Sequence, residues 1–470
     1  MSERSTPDWR WVVALIPLVI VTAIAVVLNL NTANNQKNTS TAIDIDNGDT
    51  KINWDNYESY DVELSSDYNI TAPGIYHLTG TISDGGISIR LVDNGVIKLI
   101  LDNVSIKNSD GPAIACYSGD DLVIELVGEN YLEDGSKYNS SYDEDVSGAI
   151  YSKADLTFIG DGDMTLKANY QDGIVSKDDL KINGGTYNIT AKDDGIRGKD
   201  SVYVASGEIE ISAGGDGIKS TNETELSKGF VLIADGSIDI TKSYEGLEAR
   251  RIIIDGGEVS IFSNDDGMNA GGGDSTMMET NESCSIAING GEVYVNAAGD
   301  GLDSNGYLYI NGGSVIIDGP TNSGNGALDA GASIIMNGGT VMAVGASGMA
   351  ESLGLESTVY NLSVFFGSTL SSGTKIEIKD SAGKTILTHT PAKTFSHLAA
   401  GSTDFKKDET YTIYLNGVEH AAFTISDITT VVGNNTSMGP GGGNPGGVPG
   451  EVPGGNPGET GNGTAPRQRR

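Results

Sequence analysis

An Asp-Gly turn returns along this chain at a nearly fixed interval, and that period constrains the fold more than any other feature. The turns are Asp172-Gly173, Asp194-Gly195, Asp216-Gly217, Glu245-Gly246, Asp266-Gly267, Asp300-Gly301 and Asn325-Gly326, and successive glycines lie 22, 22, 29, 21, 34 and 25 residues apart. Between turns the apolar residues alternate, as in Val202, Val204, Ile209 and Ile211, or Ile252, Ile254, Val259 and Ile261. Alternation gives each run one buried and one solvated face, which is the pattern of strands. A unit this short cannot cover its own apolar face, so copies must stack above and below it. The fold class expected is all-β, a right-handed parallel β-helix. The longer intervals carry polar excursions, at 219–229 and 271–283, after which the strand pattern resumes.

The rest of the chain divides by composition. Residues 1–11 read as a cytoplasmic segment, and 12–30, the only long apolar stretch, as a transmembrane anchor or a signal segment. A polar tether covers 31–52 and the β-helix 53–357. Residues 358–432 lose the Asp-Gly repeat and gain hairpin signals such as Asn416-Gly417, so a small antiparallel, sandwich-like β module is expected there. From 433 to 470 the Gly/Pro-rich composition is that of a disordered tail. This order places the body outside the cell, anchored by the N-terminal helix, or secreted if that segment is cleaved. Cys116 and Cys284 lie several repeats apart, too far for the roughly 7 Å limit of a disulfide, and read as small buried residues.

A net charge of −35 argues against a nucleic-acid partner, which demands a basic face, and for cations. Stacking the units places Asp172, Asp194, Asp216, Glu245, Asp266, Asp300 and Asn325 in one column. At a strand spacing of about 4.8 Å, neighbouring unit charges repel by roughly 3.5 kcal/mol at an effective dielectric of 20. Asp193, Asp265, Asp303 and Asp329 add further carboxylates beside it. Clustered hard oxygens suit Ca²⁺, while four His and two Cys without ligand spacing disfavour zinc. A single Asp-Gly turn needs no ion, since Asp caps a turn and Gly tolerates positive φ. A column of charge invites one.

A second column runs through Lys153, Lys177 and Lys199 and reaches Arg250. It reads either as a solvated face that neutralises the acids or as a comb of cations for sugar carboxylates. A desolvated Lys177 or Lys199 beside Ca²⁺ would supply the base of a polysaccharide lyase. Tyr138 and Tyr142, in an acidic insertion at 128–147, are candidate sugar contacts.

Several runs together resemble a known family: Gly74-Ile-Tyr-His-Leu-Thr-Gly80, Ala149-Ile-Tyr-Ser-Lys-Ala-Asp-Leu156, Asp172-Gly-Ile-Val-Ser-Lys-Asp-Asp-Leu180, Asp216-Gly-Ile-Lys-Ser-Thr-Asn222, Asp300-Gly-Leu-Asp-Ser-Asn-Gly306, Gly319-Pro-Thr-Asn-Ser-Gly-Asn-Gly-Ala-Leu-Asp329 and Ser347-Gly-Met-Ala350. The resemblance, over residues 60–432, is to the carbohydrate-binding domain-containing β-helix proteins, which are related in fold to calcium-dependent pectate lyases. It implies a surface binder of cellulose or polygalacturonate that holds Ca²⁺ on a lyase-like scaffold without acting as a lyase. Carried over by position, the calcium candidates are Asp172, Asp193, Asp194, Asp216, Asp265, Asp266, Asp300 and Asp303. The alternatives are a calcium-dependent lyase and a structural or adhesive surface protein.

Overall fold

The computed structural model describes residue 43 and residues 52–143, 145–272 and 280–434. The expected N-terminal segments at 1–11 and 12–30, nearly all of the tether and all but the first two residues of the tail lie outside them.

The alternation read from the sequence becomes three inward columns of aliphatic side chains. One runs Ile182, Val204, Ile233, Ile254, Ile288, Ile310, Met336, each paired in parallel with the next. A second runs Ile189, Ile211, Ile240, Ile261, Val295, Ile317, Ala343. The third, carried on short strands after the Asp-Gly turns, runs Ile174, Ile196, Ile218, Leu247, Met268, Leu302, Leu328. All but a few of these side chains are completely buried in one continuous core. Each contributes about 1.5–3 kcal/mol by burial, so the stack rather than any single repeat is the stable unit. The described residues are all-β, with one 3-10 turn at Trp54–Asn56. The first two columns belong to a 23-stranded sheet and the third to an 11-stranded sheet whose adjacent strands are all parallel.

Glycine makes the stacking possible at two places for two reasons. Gly236 and Gly257 have φ of 109° and 80°, and a Cβ on Gly257 would sit 2.5 Å from the Gly236 carbonyl oxygen. The Asp-Gly glycines, expected to supply positive φ, do not have it. They are required by close approach instead, since a Cβ on Gly195 would lie 2.6 Å from the Gly217 oxygen.

The C-terminal region is partly the expected hairpin module and partly an extension of the stack. Thr385–His389, Ile376–Asp380, Thr410–Leu415 and Val418–Thr424 form a four-stranded antiparallel sheet. Phe395–Ser402 instead pairs antiparallel with Thr340–Gly345, the last strand of the parallel stack, and so covers an edge that would otherwise recruit other chains. Asp318 ties the two parts together: it accepts from His389 Nε2 at 2.7 Å, the Ala392 N–H at 2.9 Å and the Tyr294 hydroxyl at 3.0 Å. Cys116 and Cys284 are free and buried.

His397, on the covering strand, is buried against Phe365 and bonded to Ser363 Oγ at 2.9 Å. Burial pushes its pKa down to about 4. A depressed imidazole pKa favours the neutral form in the fold, so its contribution is full above the ordinary value and is lost as pH falls through about 4. Roughly 3 kcal/mol is at stake. NMR titration is expected to show this ring neutral at pH 5, where an exposed histidine is already charged.

Candidate metal centre

The acid column forms because each aspartate places its carboxylate against the next repeat's backbone, while Glu245 accepts from Asn269 Nδ2 at 3.0 Å instead. One oxygen of Asp172 accepts the Asp194 N–H at 3.2 Å, Asp194 that of Asp216 at 2.9 Å, Asp216 that of Glu245 at 3.1 Å and Asp266 that of Asp300 at 2.6 Å. Asp300 continues the pattern to the Gly326 N–H. Gly326, and not Asn325, therefore occupies the last place, one residue off the spacing expected from sequence. An Asn could cap equally well with one oxygen. The second oxygen is what distinguishes Asp.

What that second oxygen meets changes along the stack. Three residues after each acid, on the same sheet face, the paired positions are Val175, Arg197, Lys219, Glu248, Asn269, Asp303 and Asp329. In the first half the neighbours are cations. Arg197 pairs with Asp172 and reaches within 3.8 Å of Asp194, and Lys219 pairs with Asp216 at 2.8 Å and with Glu248. Burial with its like-charged neighbours Glu248 and Asp216 pushes Glu245 up to about 9, and its Oε2 is buried without a hydrogen-bond partner among the described residues.

In the second half Asn269 and then the acids Asp303 and Asp329 stand where the cations stood. Asp266, Asp300 and Asp303 each bring one carboxylate oxygen to within 4.8 Å of the others. Burial first, then the charges of neighbouring carboxylates, Asp265 and Asp329 for Asp266 and Asp266 and Asp329 for the other two, pushes Asp266 up to about 6, Asp300 to about 7 and Asp303 to about 8. Glu351, which accepts the Ala330 N–H, rises to about 7 by burial and the Asp329 charge, and Asp329 itself is raised by burial. Three partly desolvated carboxylates, with no ion pair among the described residues, form a donor set of the kind a hard divalent ion takes.

The other expected ligands are distributed around this centre. Asp172, Asp194 and Asp216 stand in the column beside Arg197 and Lys219. Asp193 is exposed, and Asp265 stands next to Asp266 with its oxygen against Gly299. A further group, Asp155, Asp178 and Asp179, was not anticipated. It sits at strand starts outside the Asp-Gly turns, where the repeated Asp-Leu of Asp155-Leu156 and Asp179-Leu180 is its only sequence signal.

The lysine column is in register, the Lys177 N–H bonding Ser152 and the Lys199 N–H bonding Ser176. Lys153 pairs with Asp143 at 3.2 Å and Asp145 at 3.6 Å, and Lys199 lies 3.9 Å from Asp200. Lys177 is half-buried and its pKa is lowered, by desolvation first and then by Arg197.

Arg250 corrects the expected sugar contact. It is 3% exposed, and its guanidinium donates to the carbonyls of Glu223, Glu225 and Lys228, pinning the polar excursion. Arg250→Ala is expected to cost about 3 kcal/mol through unsatisfied carbonyls and to open 223–228 to limited proteolysis. Tyr138 is a buttress, stacked at 4.2 Å on Tyr170 with its hydroxyl on Asp134 and the Gly148 carbonyl. Tyr142 borders a surface groove.

A family model described as carbohydrate-binding domain-containing protein matches residues 65–323. A carbohydrate-binding domain-containing protein of Acetivibrio thermocellus is 36% identical over 146 residues, which are 30% of this chain and 50% of that protein. The chain thus spans half the length of this curated relative. Among solved structures, the gadolinium derivative of the polysaccharide lyase-like protein from C. thermocellum is similar at 29% identity and a TM-score of 0.42, over 53% of this chain and 95% of that one.

Proposed function

The chain belongs to the carbohydrate-binding domain-containing protein family, and from that premise we propose that it is a non-catalytic, calcium-loaded binder of acidic polysaccharide. The stacked repeats are read as a right-handed parallel β-helix held outside the cell by the segment at 12–30. The observation that supports the reading is the loss of cations along the face: Arg197 and Lys219 neutralise the first acids, whereas Asn269, Asp303 and Asp329 follow, and among the described residues no cation pairs with Asp266 or Asp300.

Asp266, Asp300 and Asp303 would hold the ion, with Asp329 and Glu351 adding charge beside them. Bound there, Ca²⁺ would cancel the local charge and offer coordination to uronate carboxylates. The chain's own residues do the rest. Backbone capping fixes one oxygen of Asp266 and Asp300 and leaves the other free. Lys177 and Lys199 present ammonium groups further down the same face for additional sugar carboxylates.

Separation of parts favours binding over elimination. Lys177 belongs to the Ile174 repeat, four rungs from the Met268 repeat that carries Asp266, or about 19 Å at a strand spacing near 4.8 Å. A calcium-assisted lyase needs its base and its ion on one uronate. A glycan array read with Ca²⁺ and with chelator tests the reading. Acidic polysaccharides are expected to bind far more strongly with Ca²⁺ than with chelator, with no unsaturated uronate formed. No binding to any glycan would favour a structural or adhesive role.

A further inference from the structure

A groove at the other end of the short-strand sheet has chemistry that the acid column does not use. It lies on the outward face of Tyr68–Ile70, Ile87–Arg90 and Ile114–Ser118, encloses about 290 Å³, and is bordered by Asp67, Asn69, Ser88, Arg90, Tyr117 and Tyr142. Ile87 and Ile89 point into the core, so Ser88 and Arg90 face outward by strand alternation.

A bulge aims the charge. Ile89 pairs with Cys116 but Arg90 pairs with Ser118, which leaves Tyr117 as the extra residue. The Arg90 guanidinium lies over the Tyr117 ring, 3.5 Å from its centroid. Among the described residues it enters no ion pair, although the chain carries a net charge of −35 and Lys153, Arg197 and Lys219, on or beside the same sheet, are paired with carboxylates. A guanidinium over a ring still has N–H groups to offer a planar anion, which a carboxylate matches with two hydrogen bonds.

The opposite wall is built in advance. The insertion that supplies Tyr142 is fastened by Asn139, whose N–H bonds the Asp110 carbonyl at 2.8 Å and whose Nδ2 bonds the Asp110 carboxylate at 2.9 Å. Tyr142 lies in the space a side chain on Gly111 would take, since a Cβ there would be 2.3 Å from its ring. Asp67 is held by the Gly86 N–H at 2.8 Å. Little ordering remains to be done on binding.

We propose that this groove is a subsite for one acidic sugar residue, with Arg90 taking the uronate carboxylate, the Tyr142 ring walling the sugar, and Asn69, Ser88 and Asp67 meeting its hydroxyls. The volume falls just below that of small-molecule sites, which run from about 300 Å³ upward, and suits a single ring of a longer chain. Seven rungs separate it from the Met268 repeat, about 34 Å at the usual strand spacing. The subsite therefore works without Ca²⁺, and a long acidic chain bound at both ends gains by avidity. The inference rests on the polysaccharide-binding reading and adds the residue that selects for acid.

The test is calorimetric titration of the full chain, in chelator, with a galacturonate disaccharide and with the neutral glucose disaccharide cellobiose. The uronate disaccharide is expected to bind, Arg90→Met to weaken it at least tenfold, and Gly111→Ala to weaken it by displacing Tyr142. Arg90→Met should leave Ca²⁺ stoichiometry unchanged, which shows that the variant is folded. Equal binding by wild type and Arg90→Met overturns the subsite. So does a wild type that ignores the disaccharide while retaining calcium-dependent binding to polygalacturonate, a result that leaves the proposed function standing. A wild type that binds no acidic polysaccharide under any condition overturns both.

Discussion

Asp303→Asn is expected to stabilise the metal-free protein at pH 8 and to destabilise it relative to wild type once Ca²⁺ is added. Burial and the charges of Asp266, Asp329 and Asp300 push the Asp303 carboxyl up to about 8. A carboxyl whose folded pKa is raised favours the protonated form in the fold. Its contribution is therefore full below the ordinary value near 4 and is lost as pH rises through about 8. Replacing it by neutral Asn recovers on the order of 3 kcal/mol at pH 8 and nothing at pH 4. With Ca²⁺ at a hundred times its dissociation constant, wild type gains about 2.7 kcal/mol by linkage, while the variant, short of one ligand, gains far less. Denaturation curves at pH 4 and pH 8, each with Ca²⁺ and with chelator, give all four values. A variant less stable than wild type in chelator at pH 8 would show that Asp303 is held by a contact rather than strained by its neighbours.

Lys219→Gln should behave in the opposite way. The Lys219 ammonium lies between Asp216 and Glu248, and both carboxylates hold its pKa up against the cost of burial. Removing one partner of a buried ion group leaves the others uncompensated, at a cost of about 3–5 kcal/mol. Asp216, Glu245 and Glu248 already bring their oxygens within 4.8 Å of one another. Without the ammonium they become a second donor set like Asp266, Asp300 and Asp303. Most of the loss is expected to be regained in millimolar Ca²⁺, with one additional ion bound per chain by calorimetry. A loss that Ca²⁺ leaves untouched would mean that the lysine contributes packing and not charge.

These two substitutions depend on a pattern that was visible in the sequence but is easily passed over. The residue three places after each column position runs Val175, Arg197, Lys219, Glu248, Asn269, Asp303 and Asp329, so the cations stop after Lys219. The Asp-Gly column alone made all its acids look equivalent. Alternation at residues such as Val202, Val204, Ile209 and Ile211 was enough to give strands and their inward faces, because burial acts on every second residue. The last rung slipped by one residue because Gly326 takes the acid's place and Asn325 precedes it, a register set by hydrogen bonding and not by residue type.

Other features were hidden for physical reasons. Arg250 looked like one more basic residue on the sugar face, but its direction is set by three carbonyls of an excursion whose return path is not encoded in local periodicity. Arg90 and Tyr117 gave no signal, since a one-residue bulge between Ile89 and Arg90 brings them together. Tyr138 and Tyr142, adjacent in the same insertion, part company only through what each meets: a buried carboxylate in one case and a bare Gly111 in the other.

The central claim is that acidic polysaccharide is bound through a divalent ion at the cation-free end of the acid column. Affinity electrophoresis through polygalacturonate tests it most directly, comparing wild type with Asp300→Asn/Asp303→Asn in Ca²⁺ and in chelator. Wild type should be strongly retarded in Ca²⁺ and move more freely in chelator, and the double variant should move as wild type does in chelator under both conditions. Equal retardation of wild type with and without Ca²⁺, or of the double variant and wild type in Ca²⁺, would contradict the account.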